Sequence, residues 1–124
     1  IFIIAQKNLA VNSSCEYFVA NNIIPINGGY VMKLHFDNLR DLLIFNIKYY
    51  RYVNNYSQEK LAELSKLSPR YITDVERGLH CPTIPKIESI AKSLNIEPYQ
   101  LFLNVDRDAE IVNKMNSGRQ YNQK

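Results

Sequence analysis

The run Ser57-Gln58-Glu59-Lys60-Leu61-Ala62-Glu63-Leu64-Ser65-Lys66-Leu67-Ser68-Pro69-Arg70-Tyr71-Ile72-Thr73-Asp74-Val75-Glu76-Arg77-Gly78 constrains this chain more than any other feature. Ser57 has the chemistry of an N-cap, and the spacing predicts a helix over Gln58 to Ser65 with Leu61, Ala62 and Leu64 facing inward. Only Lys66-Leu67 follows before Ser68, a second N-cap, with Pro69 at a first turn where its missing N–H costs nothing. Gly78 marks the end of that second helix. Two helices joined by so short a turn must cross at a steep angle, and Ala62 is small where their backbones approach. Ile72 and Val75 then face inward, which leaves Pro69, Arg70, Thr73, Asp74 and Arg77 outward. A polar outward set of this kind suits a helix that enters a major groove, where base edges offer donors and acceptors.

The flanking sequence supplies the rest of a small core. Leu39, Leu42, Leu43, Ile47 and Tyr50 recur at helical spacing and predict a first helix ending near Asn54-Asn55. Beyond Gly78, Cys81-Pro82-Thr83 reads as a loop. Thr83 caps a fourth helix whose inward residues are Ile87, Ile90, Ala91 and Leu94. Glu97-Pro98 opens a short fifth, anchored by Leu101 and Phe102. Residues 37–104 therefore form an all-α, five-helix domain.

The two ends differ in texture. Residues 1–36 sustain neither helical nor strand period and read as an irregular extension, with Asn-rich turns and a Pro25…Gly28-Gly29 break. The chain opens on Ile1 rather than Met. Gly28-Gly29 would be encoded by GGN-GGN, which resembles a ribosome-binding sequence placed just before Met32. Residues 1–31 are therefore expected to be translated leader, with a native start at Met32; the alternative is an ordinary extension, such as one strand packed on the domain. Residues 105–124 read as a polar, frayed tail.

Composition narrows the function classes. Hydrophobic residues make up 46% and charged residues 22% of the chain, enough apolar material for a packed core. The formal net charge of +3 permits a polyanionic partner without demanding one. Two cysteines, Cys15 and Cys81, make no disulfide scaffold and fit a reducing cytoplasm. Ile1 to Ala5 is apolar but far too short to span a bilayer, and no membrane segment is expected. His80-Cys81 has the look of half a metal site, but only Cys15 and His35 remain as further ligands of those types, so no metal and no cofactor are expected. Paired carboxylates, nucleophile–base sets and phosphate-cradling glycine loops are not recognisable, so an enzyme is not expected.

The decisive run, with its flanks, resembles the Cro/C1-type (XRE) helix-turn-helix family of phage repressors and bacterial regulators, whose domain is lambda-repressor-like. The resemblance covers about Leu43 to Phe102. It rests on Gln58…Leu61-Ala62, Ser68…Tyr71-Ile72…Val75-Glu76-Arg77-Gly78, Pro82-Thr83, Ile90-Ala91…Leu94 and Glu97-Pro98-Tyr99-Gln100-Leu101-Phe102, all in the family's order and spacing. Lys66 and Asn95 stand where the family usually has glycine, so each is expected to adopt positive φ.

The resemblance implies roles residue by residue. Ser57 and Gln58 should meet a phosphate at the start of the second helix. Ser68, Pro69, Arg70 and Asp74 fall at positions that face base edges, with Thr73 beside them. Arg70 is the strongest candidate for direct readout, through guanine O6 and N7. Pro69 offers apolar contact alone, as with a thymine methyl. Asp74 can accept from cytosine N4 or exclude other bases. Tyr71 and Arg77 should contact phosphate, while Arg51 and Glu76 should form a buried structural ion pair. The implied function is sequence-specific binding of a double-stranded DNA operator as a homodimer, in a cytoplasmic transcriptional regulator, most naturally a repressor. The dimer contact is expected within Tyr99 to Val105 or the tail after it. The competing reading is a protein-interaction module of antitoxin or accessory type. That reading requires a more apolar outward face on the third helix.

Overall fold

A computed structural model of the chain describes residues 23–26 and 29–121. The five expected helices are present. Helix α1 spans Leu39–Val53, α2 Gln58–Ser65, α3 Pro69–Glu76 and α4 Ile84–Ser93, and the fifth, η1 at Pro98–Phe102, is a 3-10 helix. Side chains set most of these boundaries. Asn38 Oδ1 accepts from Asp41 N at 2.9 Å to start α1. Ser57 Oγ accepts from Lys60 N at 3.0 Å to start α2, and Ser68 Oγ from Tyr71 N at 3.1 Å to start α3. Thr83 precedes α4 but makes no side-chain cap bond.

The turns meet the expected backbone demands. Lys66 ends α2 in the left-handed region at φ 58°, Asn95 follows α4 at φ 60°, and Gly78 follows α3 at φ 79°. Leu67 N donates to Ala62 O at 2.9 Å, closing the turn between α2 and α3 around that residue.

Leu43, Ile47, Leu61, Ala62, Ile72, Val75, Ile87, Ile90, Ala91, Leu94 and Leu101 form the core between these helices. Two expected inward residues lie elsewhere. Leu39, in the first turn of α1, is exposed, and so is Leu64. On α2 the buried stripe is Leu61, Ala62 and Ser65, from whose centre Leu64 is turned by about 100°. Ser65 is tolerated in that stripe because its Oγ donates to Leu61 O at 2.7 Å, while its own carbonyl accepts from Ser89 Oγ of α4 at 2.8 Å.

Further elements surround the five helices. Strands β1 (Ile23–Ile26) and β2 (Gly29–Met32) pair antiparallel, with Ile23 opposite Met32 and Ile26 opposite Gly29. The two-residue strand β3 (Arg107–Asp108) pairs with the other edge of β2. Helix α5 then runs from Ala109 to Tyr121 in the segment expected to be a frayed tail. Its polar composition hides a short apolar stripe. Ala109, Val112 and Met115 recur every third residue and bury against Met32 and Tyr49 in a second core. Asp108 Oδ1 accepts from Glu110 N at 2.8 Å at the helix start. The expectations placed on residues 1–22, including Cys15 and the Asn-rich turns, fall outside the described residues.

A buried polar lock joins this second layer to α1. Asn46, fully buried, donates through Nδ2 to Leu101 O at 2.8 Å and Leu103 O at 3.1 Å. Its Oδ1 accepts from Arg107 Nη2. Arg107 is likewise fully buried and donates to Val105 O and Leu103 O, each at 2.9 Å, with its guanidinium beside the rings of Phe45 and Tyr49. Burial lowers the pKa of Arg107, against the opposing charge influence of Tyr50, Tyr49 and Asp106. Asn46→Ala strands the Leu101 carbonyl and one guanidinium N–H in the interior and leaves Leu103 O to Arg107 alone. Urea unfolding of this variant should show a loss of about 3 kcal/mol, since each orphaned buried group costs about 1–3 kcal/mol; a loss below about 1 kcal/mol would mean the lock is wet.

Candidate nucleic-acid interface

The N-terminal half of α3 stands out from the core. Ser68, Pro69 and Arg70 are exposed, as is Arg77 just beyond the helix, while Tyr71 and Thr73 are half-buried. Ser57 is exposed and Gln58 half-buried at the start of α2. Side-chain capping thus leaves two helix N-termini, each the positive end of a helix dipole, next to the outward side chains of α3.

A chain of buried hydrogen bonds holds α3 at this angle. Arg51, in the last turn of α1, donates through Nε to Glu76 Oε1 at 2.6 Å and through Nη2 to Glu76 Oε2 at 3.0 Å. Their side chains retain only 8% and 3% of their accessible surface. Arg51 Nη1 also donates to Tyr56 O at 2.8 Å, fixing the loop before α2. Gln58 Nε2 donates to Glu76 Oε2 at 2.8 Å, and Gln58 Oε1 accepts from Thr73 Oγ1 at 2.9 Å. Burial by itself would lower the pKa of Arg51. The hydrogen bonds and charge of Glu76, with help from Tyr52, outweigh it and hold the guanidinium above its ordinary value.

This network adds to the expected roles of Gln58 and Thr73. The resemblance put Gln58 at a phosphate and spacing put Thr73 outward, yet each spends its hydrogen-bonding atoms partly on the other, tying the start of α2 to the middle of α3. Thr73 Oγ1 also donates toward Pro69 O, at 3.0 Å. Asp74, expected outward, is largely covered. Its side chain keeps 12% of its surface, and its Oδ2 lies 3.4 Å from Arg70 Nε and 3.8 Å from His80 Nε2.

The sequence reading missed two contributors. His80, set aside as a metal ligand and given no other role, stacks on Tyr71 with ring centroids 5.8 Å apart and an angle of 13°. Lys86 of α4 places Nζ 4.1 Å from the centre of the same Tyr71 ring. Both residues cluster around a side chain already expected at phosphate, and only the fold brings them there. Arg40 Nη2 donates to Gly78 O and so holds the loop after α3 against α1. Cys81 is exposed. Among the described residues no cluster of three His, Cys, Asp or Glu could hold a metal ion, and no helix is long and apolar enough to cross a membrane.

Comparison with known proteins agrees with this arrangement. The helix-turn-helix family (HTH_3) matches residues 47–101. Control protein C.SmaI of Serratia marcescens is 42% identical over 60 residues, covering 48% of this chain and 71% of that protein. The hypothetical transcription factor NHTF from Neisseria has a similar structure, with a TM-score of 0.52 at 31% identity over 63% of this chain and 85% of that one. The restriction-modification controller protein C.Esp1396I, solved as a tetramer in complex with its natural 35 base-pair operator, gives a TM-score of 0.50 at 33% identity, over 54% of this chain and 88% of its own. The chain belongs to the helix-turn-helix family.

Glu76→Ala leaves the Arg51 guanidinium buried without its counter-charge and removes the acceptor of Gln58. Stability measured by urea unfolding should fall by about 3–5 kcal/mol. A loss under about 1 kcal/mol would show that the pair does not hold α3.

Proposed function

We propose that this protein binds double-stranded DNA sequence-specifically as a homodimer and regulates transcription, with α3 in the major groove. The observation that carries the reading is the projection of Ser68, Pro69 and Arg70 at the N-terminal end of α3, exposed and flanked by the capped start of α2. Family membership and the operator-bound relative support it. In this reading Arg70 bonds guanine O6 and N7, Ser68 and Pro69 meet neighbouring base edges, and Thr73 borders them. Tyr71 and Arg77 contact phosphates, as do the backbone and side chains of Ser57 and Gln58. A protein-partner reading needs an apolar outward face on α3; the face carries Ser68, Arg70 and Arg77 instead, which favours a polyanion.

The role is one of binding and regulation, with no catalytic step, in the compartment that holds the chromosome. Repression is the simplest form of such regulation: a dimer seated in the major groove blocks access to its site. Residues 37–104 are the DNA-binding unit, and β1, β2, β3 and α5 are its accessory layer. The pairing of β1 and β2 with β3 supports the alternative to a leader, an extension packed on the domain. N-terminal sequencing of protein made from the native gene tests it, and a start at Met32 contradicts it.

Dimerisation is assigned to the segment after α4, where Tyr99, Leu103 and Val105 are exposed apolar residues close in sequence. Leu103→Asp should shift the protein toward monomer in sedimentation velocity and weaken DNA binding in parallel; an unchanged dimer places the interface elsewhere.

The test of the function is retention of DNA fragments from around the protein's own gene across a salt series. A dimer neutralising about six phosphates should lose about 10³-fold in affinity between 50 and 200 mM salt. Arg70→Ala should cost about 1–3 kcal/mol on the selected fragment and relax its selectivity. Equal weak binding of every fragment by both proteins would contradict the proposal.

A further inference from the structure

We propose that Asp74 is a positioning residue for Arg70 rather than a reader of bases, and that His80 holds the Asp74 carboxylate in place. This inference rests on the reading that Arg70 contacts a guanine. Arg70 keeps 87% of its side-chain surface, so a bare guanidinium there would sample many rotamers before meeting DNA. Asp74, one helical turn later, holds it through Nε alone, with Oδ2 at 3.4 Å. That contact leaves the two terminal amino groups of Arg70, the pair whose spacing matches guanine O6 and N7, for the base.

The carboxylate is itself poorly placed to read a base. Only 12% of its side-chain surface is accessible, and the same Oδ2 faces His80 Nε2 at 3.8 Å from the side opposite in sequence. His80 in turn is fixed by its stack on Tyr71, whose ring also carries Lys86 Nζ at 4.1 Å. The groups set around Asp74 are therefore Arg70 and His80 directly, and Tyr71 and Lys86 behind His80. Ordering a long side chain before binding lowers the entropic cost of the contact it makes. The preorganised arm is worth having only at the base pair it addresses.

Positioning and simple charge predict opposite results for Asp74→Asn. Removing a negative charge near phosphates should tighten binding to every duplex. Loss of positioning should instead lower the preference for guanine at one base pair.

The experiment selects duplexes from a random pool with the wild-type protein. It then compares the affinity ratio between the selected duplex and single-base-pair variants for wild type, Arg70→Ala, Asp74→Asn, the double variant and His80→Phe, with thermal unfolding of each recorded. Asp74→Asn should reduce the guanine preference by about 3- to 10-fold at the same base pair that Arg70→Ala relaxes. It should add no further loss when combined with Arg70→Ala. His80→Phe, which keeps a ring on Tyr71 but no nitrogen for Asp74, should reduce the preference at that base pair as well.

An Asp74→Asn protein that relaxes a different base pair, or that only binds all duplexes more tightly, overturns the positioning role while leaving Arg70 as reader. Arg70→Ala with an unaltered preference everywhere overturns both the reader and the inference. Unaltered preference in His80→Phe overturns the part assigned to His80.

Discussion

The ion pair between Arg51 and Glu76 is the interaction on which the rest of the arrangement depends. Helix α3 is eight residues long, too short to be stable alone, and grips the core through its buried Ile72 and Val75, with Tyr71 partly buried beside them. Apolar packing fixes its depth but allows it to roll. The two-point guanidinium–carboxylate contact at its C-terminal end, backed by Gln58 and the Tyr56 carbonyl, supplies direction as well as attraction. Such a buried pair adds little net stability over an apolar replacement, because both charges lose their water. What it contributes here is angle: the N-terminal half of α3, where Arg70 sits, projects at one orientation relative to α2.

Helix α1 is the common scaffold for two layers. Its Leu43 and Ile47 enter the core shared with α2, α3 and α4. Its Tyr49 enters the second core with Met32 and α5, and its Asn46 fastens Arg107 and the carbonyls of Leu101 and Leu103 at the end of η1. Both layers therefore lean on one fifteen-residue helix. The exposed apolar residues Leu103 and Val105 lie in the stretch pinned by this lock, since the carbonyls of both accept from Arg107. The segment assigned to dimerisation is consequently ordered by the same helix that aims the recognition helix.

Legibility in the sequence followed the range of the forces involved. Caps at Ser57 and Ser68 and the glycine at 78 are local chemistry, and local chemistry reads directly from residue types, whereas the positive φ of Lys66 and Asn95 was visible through a family whose glycines they replace. The Arg51–Glu76 pair spans 25 positions and was visible only through resemblance to a family. The Asn46–Arg107 lock spans 61 positions and had no such guide. Helix α5 was hidden by its polar residues, although Ala109, Val112 and Met115 carried a short periodic signal. The hairpin was hidden for a different reason: Pro25 argues against a strand, and no alternating period is sustained around it. The coupling of Asp74 to Arg70 is a spacing of four on one helix and was open to sequence reasoning. The approach of His80 to both Tyr71 and Asp74 depends on how the loop after α3 folds back, and so was not.

The most direct test of the account is backbone amide chemical-shift mapping of the protein with a duplex it selects, titrated at low salt. Shifts should concentrate at the starts of α2 and α3, residues 57–60, 68, 70 and 71, together with Arg77 and His80, while the amides of α5 hold their positions. Shifts confined to α5, the sheet or the segment after η1, with the start of α3 unmoved, would contradict it.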